Sequence, residues 1–284
     1  MSGSSLRSFA LGLLLFLFTM LCSGLAVPYA EEAPKRIISL APNITEILFA
    51  LGLGDRIVGV TSFCDYPAEA KKKARIGGMS NPSLEAIVSL KPDLVVFTTD
   101  GNPREDEERL RAMDIKTYVF RAKRISELPH GIRDLGKALG VREKADAFAS
   151  DVESDIRRFS PGQKGRARKK VLFILWPDPL IVAGPGSIAA DAMDILGAEN
   201  IASGARSAYP KYSIEEILYQ APDVVFIGKG KGMESVSRGI LDRLKSVPAV
   251  KNGKVFYVGD YLYRLGPRTV RGISELEGYL RDTP

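Results

Sequence analysis

One unit is written twice in this chain. Ser83–Val96 reads SLEAIVSLKPDLVV, Ser213–Phe226 reads SIEEILYQAPDVVF, and the copies stand 130 residues apart without a gap. Ser83 answers Ser213, Glu85 answers Glu215, Ile87 answers Ile217, and Pro92-Asp93 answers Pro222-Asp223. Each copy predicts a short helix opened by a serine, a proline break and a buried apolar strand. A matching turn lies upstream: Ala41-Pro42-Asn43 answers Gly184-Pro185-Gly186, and each is followed by a helix ending in Leu-Gly. Two α/β lobes of similar plan are expected.

The rest of the chain agrees. In the first half the strands RIISL, RIVGVT, DLVVFT and IKTYVF alternate with helical segments, and several are continuously apolar. That pattern belongs to a parallel sheet covered on both faces. From Ser126 to about Phe159 strand signals vanish, and GIRDLGKALG and REKADAFASDVESDIRRFS both read as helix. VLFILW then starts a second alternation, which ends in KVFYV and a terminal helix. The expected layout is an N-terminal lobe over 34–125, a helical segment with one long interdomain helix over 126–163, and a C-terminal lobe over 168–284. The fold class is α/β: two Rossmann-like lobes, each with a mainly parallel sheet flanked by helices, joined by one long helix.

The first 30 residues stand apart. Arg7 precedes the apolar run FALGLLLFLFTMLCSGLA, which gives way to small residues and then to EEAPK. A basic start, a short apolar core and a small-residue exit predict a cleaved secretory signal, cut after Ala26 or Ala30. Leu21 before Cys22 argues against lipid attachment. About 255 residues remain, enough for two modest lobes. Cys64 is then the only cysteine, so an intramolecular disulfide is excluded and a small buried hydrophobe is expected there. The formal charge falls from +6 to +5 with Arg7 gone. The basic run KGRARKK (164–170) has no interleaved aromatics and reads as a solvated linker, which argues against a nucleic-acid partner.

Several chemistries lack their residues. The lone histidine, His130, sits at a helix start as a surface or capping residue, and no Gly-x-Ser-x-Gly elbow is present. Cys/His clusters for structural zinc are missing. GKGKG (228–232) follows a strand but does not reach dinucleotide-fingerprint spacing, and reads as a loop above a sheet. An exported enzyme would have to work with scattered carboxylates such as Asp65, Asp100 and Asp260.

The loops after the strands say more, because ligands of open parallel sheets bind beyond the strands' carboxyl ends. Those loops carry Pro42 and Asn43, Phe63 to Tyr66, Thr99 to Asn102, Trp176 to Pro179, Gly184 to Ser187 and Asp260 to Arg264, the last with Tyr261 and Tyr263, and further aromatics stand at Tyr209 and Tyr212. Aromatic rings with a few hydrogen-bonding groups suit a large, flat, partly apolar ligand. Glu85 and Glu215 have a local role in the first turn of a helix, where the dipole favours a carboxylate. Their matched positions add another: two equivalent knobs for a symmetric partner carrying arginines.

RIISLAPNITEILFALGLGDRIVGVTSFCDYP, followed by GGMSNPSLEAIVSLKPDLVV, resembles the substrate-binding proteins of bacterial ABC importers for cobalamin, ferric siderophores and haem. VGVTSFCDYP, SAYPKYSIEEIL and GDYLYRLGPR are similar to segments of its cobalamin receptors. The resemblance covers nearly the whole mature chain. It implies a monomeric periplasmic receptor, not an enzyme, with no cofactor and with cobalamin as transported ligand in a cleft between lobes held by a stiff helix. Ligand contact is then expected from Pro42, Asn43, Phe63, Tyr66, Met79, Trp176, Tyr209, Tyr261 and Arg264, with Pro42 and Asn43 offering backbone groups. Phe63 stands where the family can have tyrosine, Tyr209 where it can have tryptophan, and Met79 lies near another expected tryptophan. Glu85 and Glu215 are expected to dock on the permease dimer that works with its ATPase subunits. A ferric-siderophore or haem receptor is the alternative, with Arg206, Arg264 and Arg268 as candidate anion contacts.

Overall fold

The structure, a computed structural model, describes residues 32–159, 168–229 and 233–281. The expected signal segment, the KGRARKK linker as far as Ala167 and the last three residues of the GKGKG loop lie outside the described residues.

Lobe one is a parallel sheet of β1 (Ile37–Ser39), β2 (Ile57–Val60), β3 (Ala74–Arg75), β4 (Leu94–Thr98) and β5 (Thr117–Phe120), in the order β3-β2-β1-β4-β5. Its helices include α1 (Pro42–Ala50), α2 (Leu84–Ser89) and α3 (Arg104–Ala112). Both sheet faces are buried, as the unbroken apolar strands require. Ile37 and Val96 pack on one side, and Ile38, Val95 and Phe97 on the other. The two-residue β3 has no apolar run and left no sequence signal. Helix α1 begins at Pro42 itself rather than after Asn43, because proline's fixed φ and missing N–H suit the first helical position.

The chain then runs through α4 (Leu128–Ala138) and α5 (Arg142–Arg158). At 17 residues, α5 is about 25 Å long. The two helices touch at Gly136, where an added Cβ would lie 2.0 Å from the Cβ of Ala145. Arg133 Nη2 fastens the far end of the pair by donating to Glu153 Oε2 at 3.1 Å.

Lobe two repeats the plan with β6 (Lys170–Pro177), β7 (Leu180–Val182), β8 (Glu199–Asn200), β9 (Val224–Gly228) and β10 (Val255–Val258). The order is β10-β9-β6-β7, with β8 also on β6. Only β7 runs antiparallel, because it returns from β6 through the tight turn at Asp178-Pro179. Helices α6 (Ile188–Ile195), α7 (Ile214–Gln220), α8 (Met233–Arg243), α9 (Pro248–Lys251) and α10 (Thr269–Arg281) complete it.

The repeated unit now has a physical account. Ser83 Oγ accepts from Ala86 N at 3.2 Å, and Ser213 Oγ from Glu216 N at 3.0 Å, so each serine caps its helix. Both helices exit through a left-handed residue, Lys91 at φ 47° and Ala221 at φ 48°. Asp93 then accepts from Lys35 N at 2.8 Å and Arg36 N at 2.9 Å, and Asp223 from Lys170 N at 2.8 Å. Each aspartate thus pins its strand to the start of the central strand beside it. The side chain of Glu216, three residues after Ser213, turns the other way and accepts from Gln220 Nε2 at 2.8 Å.

Asp93→Ala and Asp223→Ala should each lower stability by about 1 kcal/mol, the net worth of such hydrogen bonds. Urea unfolding of the two single variants would check this; no loss in either would mean that the aspartates do not act as clamps.

Candidate functional site

β1 is flanked by β2 and β4, and β6 by β8 and β9, so each sheet has its topological switch at the carboxyl end of its central strand. That is where open α/β sheets leave a crevice. A cavity of about 340 Å³ opens there between the lobes. Asn43, Met79 and Asp100 line it from lobe one, Lys123 from the approach to α4, and Tyr209, Tyr263 and Arg264 from lobe two.

Three cross-lobe contacts hold this space. Asn43 Nδ2 donates to Leu265 O at 3.0 Å. Asp191 on α6 accepts from Arg124 Nη2 and from Ile125 N, both at 2.6 Å. The third is a bidentate pair: Arg268 Nε donates to Glu46 Oε2 at 3.0 Å and Nη2 to Oε1 at 2.7 Å. The side chains are 17% and 5% exposed, so the pair is shielded from salt. Its hydrogen bonds to Glu46 push the Arg268 pKa further up, favouring the charged guanidinium. Tyr66 from lobe one and Tyr261 from lobe two stack on that guanidinium, 4.7 and 5.4 Å from its carbon.

Of the residues expected at a ligand, Asn43, Met79, Tyr209 and Arg264 meet at the cavity. Pro42 is buried as the first residue of α1. The Asn43 side chain is engaged with Leu265, so it serves lobe contact first. Phe63 is more than half exposed, with its ring edge 3.7 Å from a Cβ placed on Gly78, next to Met79. Trp176, also more than half exposed, stands at the carboxyl end of β6 with Nε1 donating to Asp178 O at 2.7 Å. Tyr66 lines a separate groove of about 550 Å³ beside Glu46 and Arg268, and it shares the Arg268 guanidinium with Tyr261. Of the candidate anion contacts, Arg268 is committed to Glu46, and Arg206 is an exposed residue that does not line the cavity.

Sequence reading missed Tyr263 as a cavity residue, although it stood among the noted aromatics. Its hydroxyl donates to Leu175 O at 3.2 Å and approaches Gly228 so closely that a Cβ there would lie 1.7 Å away. Glycine at 228 makes room for that ring. Asn102 stood in one of the strand-end loops, but its role could not be read from the sequence. Its Oδ1 accepts from Thr98 N at 2.8 Å, and its Nδ2 donates to Leu40 O at 3.0 Å and Met79 O at 2.9 Å. Arg75 holds the neighbouring loop through Thr61 O and Cys64 O at 2.7 and 2.9 Å. Cys64 is free and buried, and His130 is an exposed residue of α4, 3.2 Å from Asp134.

The electrostatics of the cleft are those of neutral rings beside fixed charges. Burial, and then the Asp260 carboxylate, push the Tyr263 phenol up to about 12. Burial and then Asp100 push Tyr209 up. Both phenols stay protonated through neutral pH; the Tyr263 proton is already given to Leu175 O, which leaves Tyr209 as the phenol able to donate to a ligand. Arg264 has a different standing. Its Nη1 is the one buried side-chain nitrogen or oxygen without a hydrogen-bond partner among the described residues. A buried donor left unmade costs about 1–3 kcal/mol; Nη1 itself is closed off from solvent, while Arg264 as a residue lines the cavity. Among the described residues, no group of three or more His, Cys, Asp or Glu side chains is placed to hold a metal ion.

Two α/β lobes clamped around one cleft define a two-lobed binding protein. The chain belongs to the periplasmic binding protein family, whose sequence pattern matches residues 37–262. A vitamin B12-binding protein of Pectobacterium carotovorum subsp. carotovorum is 28% identical over 249 residues, covering 87% of this chain and 88% of the relative. The solved periplasmic vitamin B12 binding protein BtuF of Vibrio cholerae superposes with a TM-score of 0.79 at 28% identity, over 88% of this chain and 98% of that one. The periplasmic heme-binding protein RhuT of Roseiflexus sp. RS-1 gives 0.79 at 30% identity, with 88% and 98% covered.

Arg268→Leu should cost about 3–5 kcal/mol, because it strands a buried carboxylate, and pairing it with Glu46→Leu should return most of that loss. Denaturant unfolding of the single and double variants measures it, and a double variant as weak as the single would contradict the clamp. A second expectation concerns pH. The folded Tyr263 pKa lies above the unfolded value of about 10, so its contribution is full below pH 10 and is lost as pH rises toward 12. Absorbance titration at 295 nm should lose one late-ionising phenol in Tyr263→Phe; loss of an ordinary phenol instead would refute the shift.

Proposed function

We propose that this protein is a periplasmic receptor that captures a corrinoid, cobalamin, in the interlobe cavity and hands it to the permease dimer of an ABC importer with its ATPase subunits. The observation that carries the reading is the single space shared by Met79, Tyr209, Tyr263 and Arg264. A flat macrocycle edged with amide carbonyls and a phosphate offers a face for the apolar groups and an acceptor for the guanidinium. The vitamin B12-binding relative and the BtuF structure support this choice. Phe63 and Trp176 are assigned to the outer wall of the same site, and Tyr66 and Tyr261, stacked on Arg268 in the neighbouring groove, to a secondary contact beside it. The ligand is carried unchanged, as a cargo rather than a cofactor, by a monomer without enzymatic activity. The signal segment is removed on export, and the lobes keep the boundaries read from the sequence.

Glu85 and Glu215 are assigned to the permease. Both are exposed in the first turn of their helices, and neither has an ion-pair partner among the described residues. Haem is the second reading, favoured by the likeness to RhuT, whose identity and TM-score match or exceed those of BtuF. On that reading Arg264 would meet a propionate.

Calorimetric titration with cyanocobalamin, and with haemin in parallel, separates the two. The corrinoid reading expects one-to-one binding at micromolar Kd or tighter, below about −8 kcal/mol, and a loss of about 1–3 kcal/mol in Tyr209→Ala. Heat from haemin alone would replace the ligand and keep the receptor.

A further inference from the structure

Each docking helix exposes more than its glutamate. On α2, Glu85, Val88 and Ser89 occupy positions i, i+3 and i+4, and on α7 the same positions hold Glu215, Leu218 and Tyr219. Residues so spaced share one helix face. The inward faces are buried through Ile87 and Ile217. Val88 is 41% exposed and Leu218 40%, so the aliphatic neighbour of the glutamate is bare in both lobes. Single apolar residues scattered on a surface need no explanation, but a bare aliphatic repeated in register beside a bare carboxylate does.

The two faces part at the last position. Ser89 turns its hydroxyl back to donate to Ala86 O at 2.8 Å. Tyr219 is 82% exposed, the most open of the large apolar side chains among the described residues.

We propose that Glu215, Leu218 and Tyr219 form the stronger of two unequal docking contacts, with the Tyr219 ring entering an apolar pocket beside a basic side chain on one half of a two-fold partner. Glu85 and Val88 make the lesser contact with the other half. The inference rests on the docking reading given above and commits to the same occupant, the paired permease subunits of the importer. A duplicated face calls for a partner with two like halves, and a carboxylate beside a bare aliphatic calls for a cation beside an apolar pocket. A second copy of this chain does not suit it, because a like-on-like contact would set glutamate against glutamate. Tyrosine is a frequent anchor at interface centres, burying a large rigid ring at low entropic cost. A symmetric importer would therefore hold this receptor by one lobe more tightly than by the other.

The test uses ligand-free protein and the permease–ATPase complex of the same cell in lipid nanodiscs, so that it does not depend on which ligand is carried. Tyr219→Ala should weaken the complex by about tenfold or more, chiefly through faster dissociation, Tyr219→Phe should keep most of the affinity, and Val88→Ala should cost less than about threefold. Circular dichroism and the cyanocobalamin titration should be unchanged in all three. Equal losses for Tyr219→Ala and Val88→Ala would overturn the inequality. A Tyr219→Ala complex as tight as wild type, while Glu85→Lys with Glu215→Lys breaks docking, would overturn the tyrosine anchor alone. A complex indifferent to both glutamate reversals would remove the docking reading with it.

Discussion

The cleft exists because Glu46 and Arg268 meet. They come from opposite lobes, 222 residues apart, and form a two-pronged ion pair in a place that water barely reaches. A buried pair of this kind gives little net stability, since the desolvation of both charges offsets much of their attraction. What it gives is uniqueness of arrangement. Shifting the lobes against each other within the closed seam would leave a carboxylate and a guanidinium buried without partners, and Tyr66 and Tyr261 would lose the cation between them. With Asn43 on Leu265 and Asp191 on Arg124 and Ile125, the lobes are tied at three points and by the paired helices α4 and α5. The cavity is therefore present before any ligand arrives.

Much of this was legible in the sequence, for identifiable reasons. The duplicated unit was readable because its features are local: a serine cap, a left-handed exit and an aspartate that reaches the next strand all recur at fixed spacing. The continuous apolar strands announced a sheet buried on both faces, which the split of alternate residues between two cores bears out. The strand ends pointed to the loops that line the cleft. Where the reading stopped, the cause was distance along the chain. Nothing in the sequence singled out Glu46 within its helix, and Arg268 looked like a spare cation for an anionic ligand. Only the fold brings them together, and it removes Arg268 from the pool of ligand contacts. Tyr263 was one aromatic among several until the glycine at 228 gave its ring a place. The short β3 and the antiparallel β7 are edge features set by pairing partners rather than by their own residues.

The duplication also separates two kinds of likeness. What is equal between the lobes is scaffolding: caps, clamps and the register of central strands. What differs is what each lobe shows to the outside. Lobe one gives the cleft Met79 and a bonded Asn43; lobe two gives it Tyr209, Tyr263 and Arg264. The scaffold can be repeated because its stability is local, whereas a single ligand without two-fold symmetry needs two unlike walls.

Asn102 ties the end of β1, the Met79 loop and the end of β4 into a single knot of three hydrogen bonds. The loops on lobe one's side of the cleft are thus not independent segments that settle as a ligand enters. The entropy of ordering them is spent when the chain folds rather than at each encounter. Such a wall captures its cargo without first rearranging, and it has correspondingly little slack to accommodate a cargo of another shape.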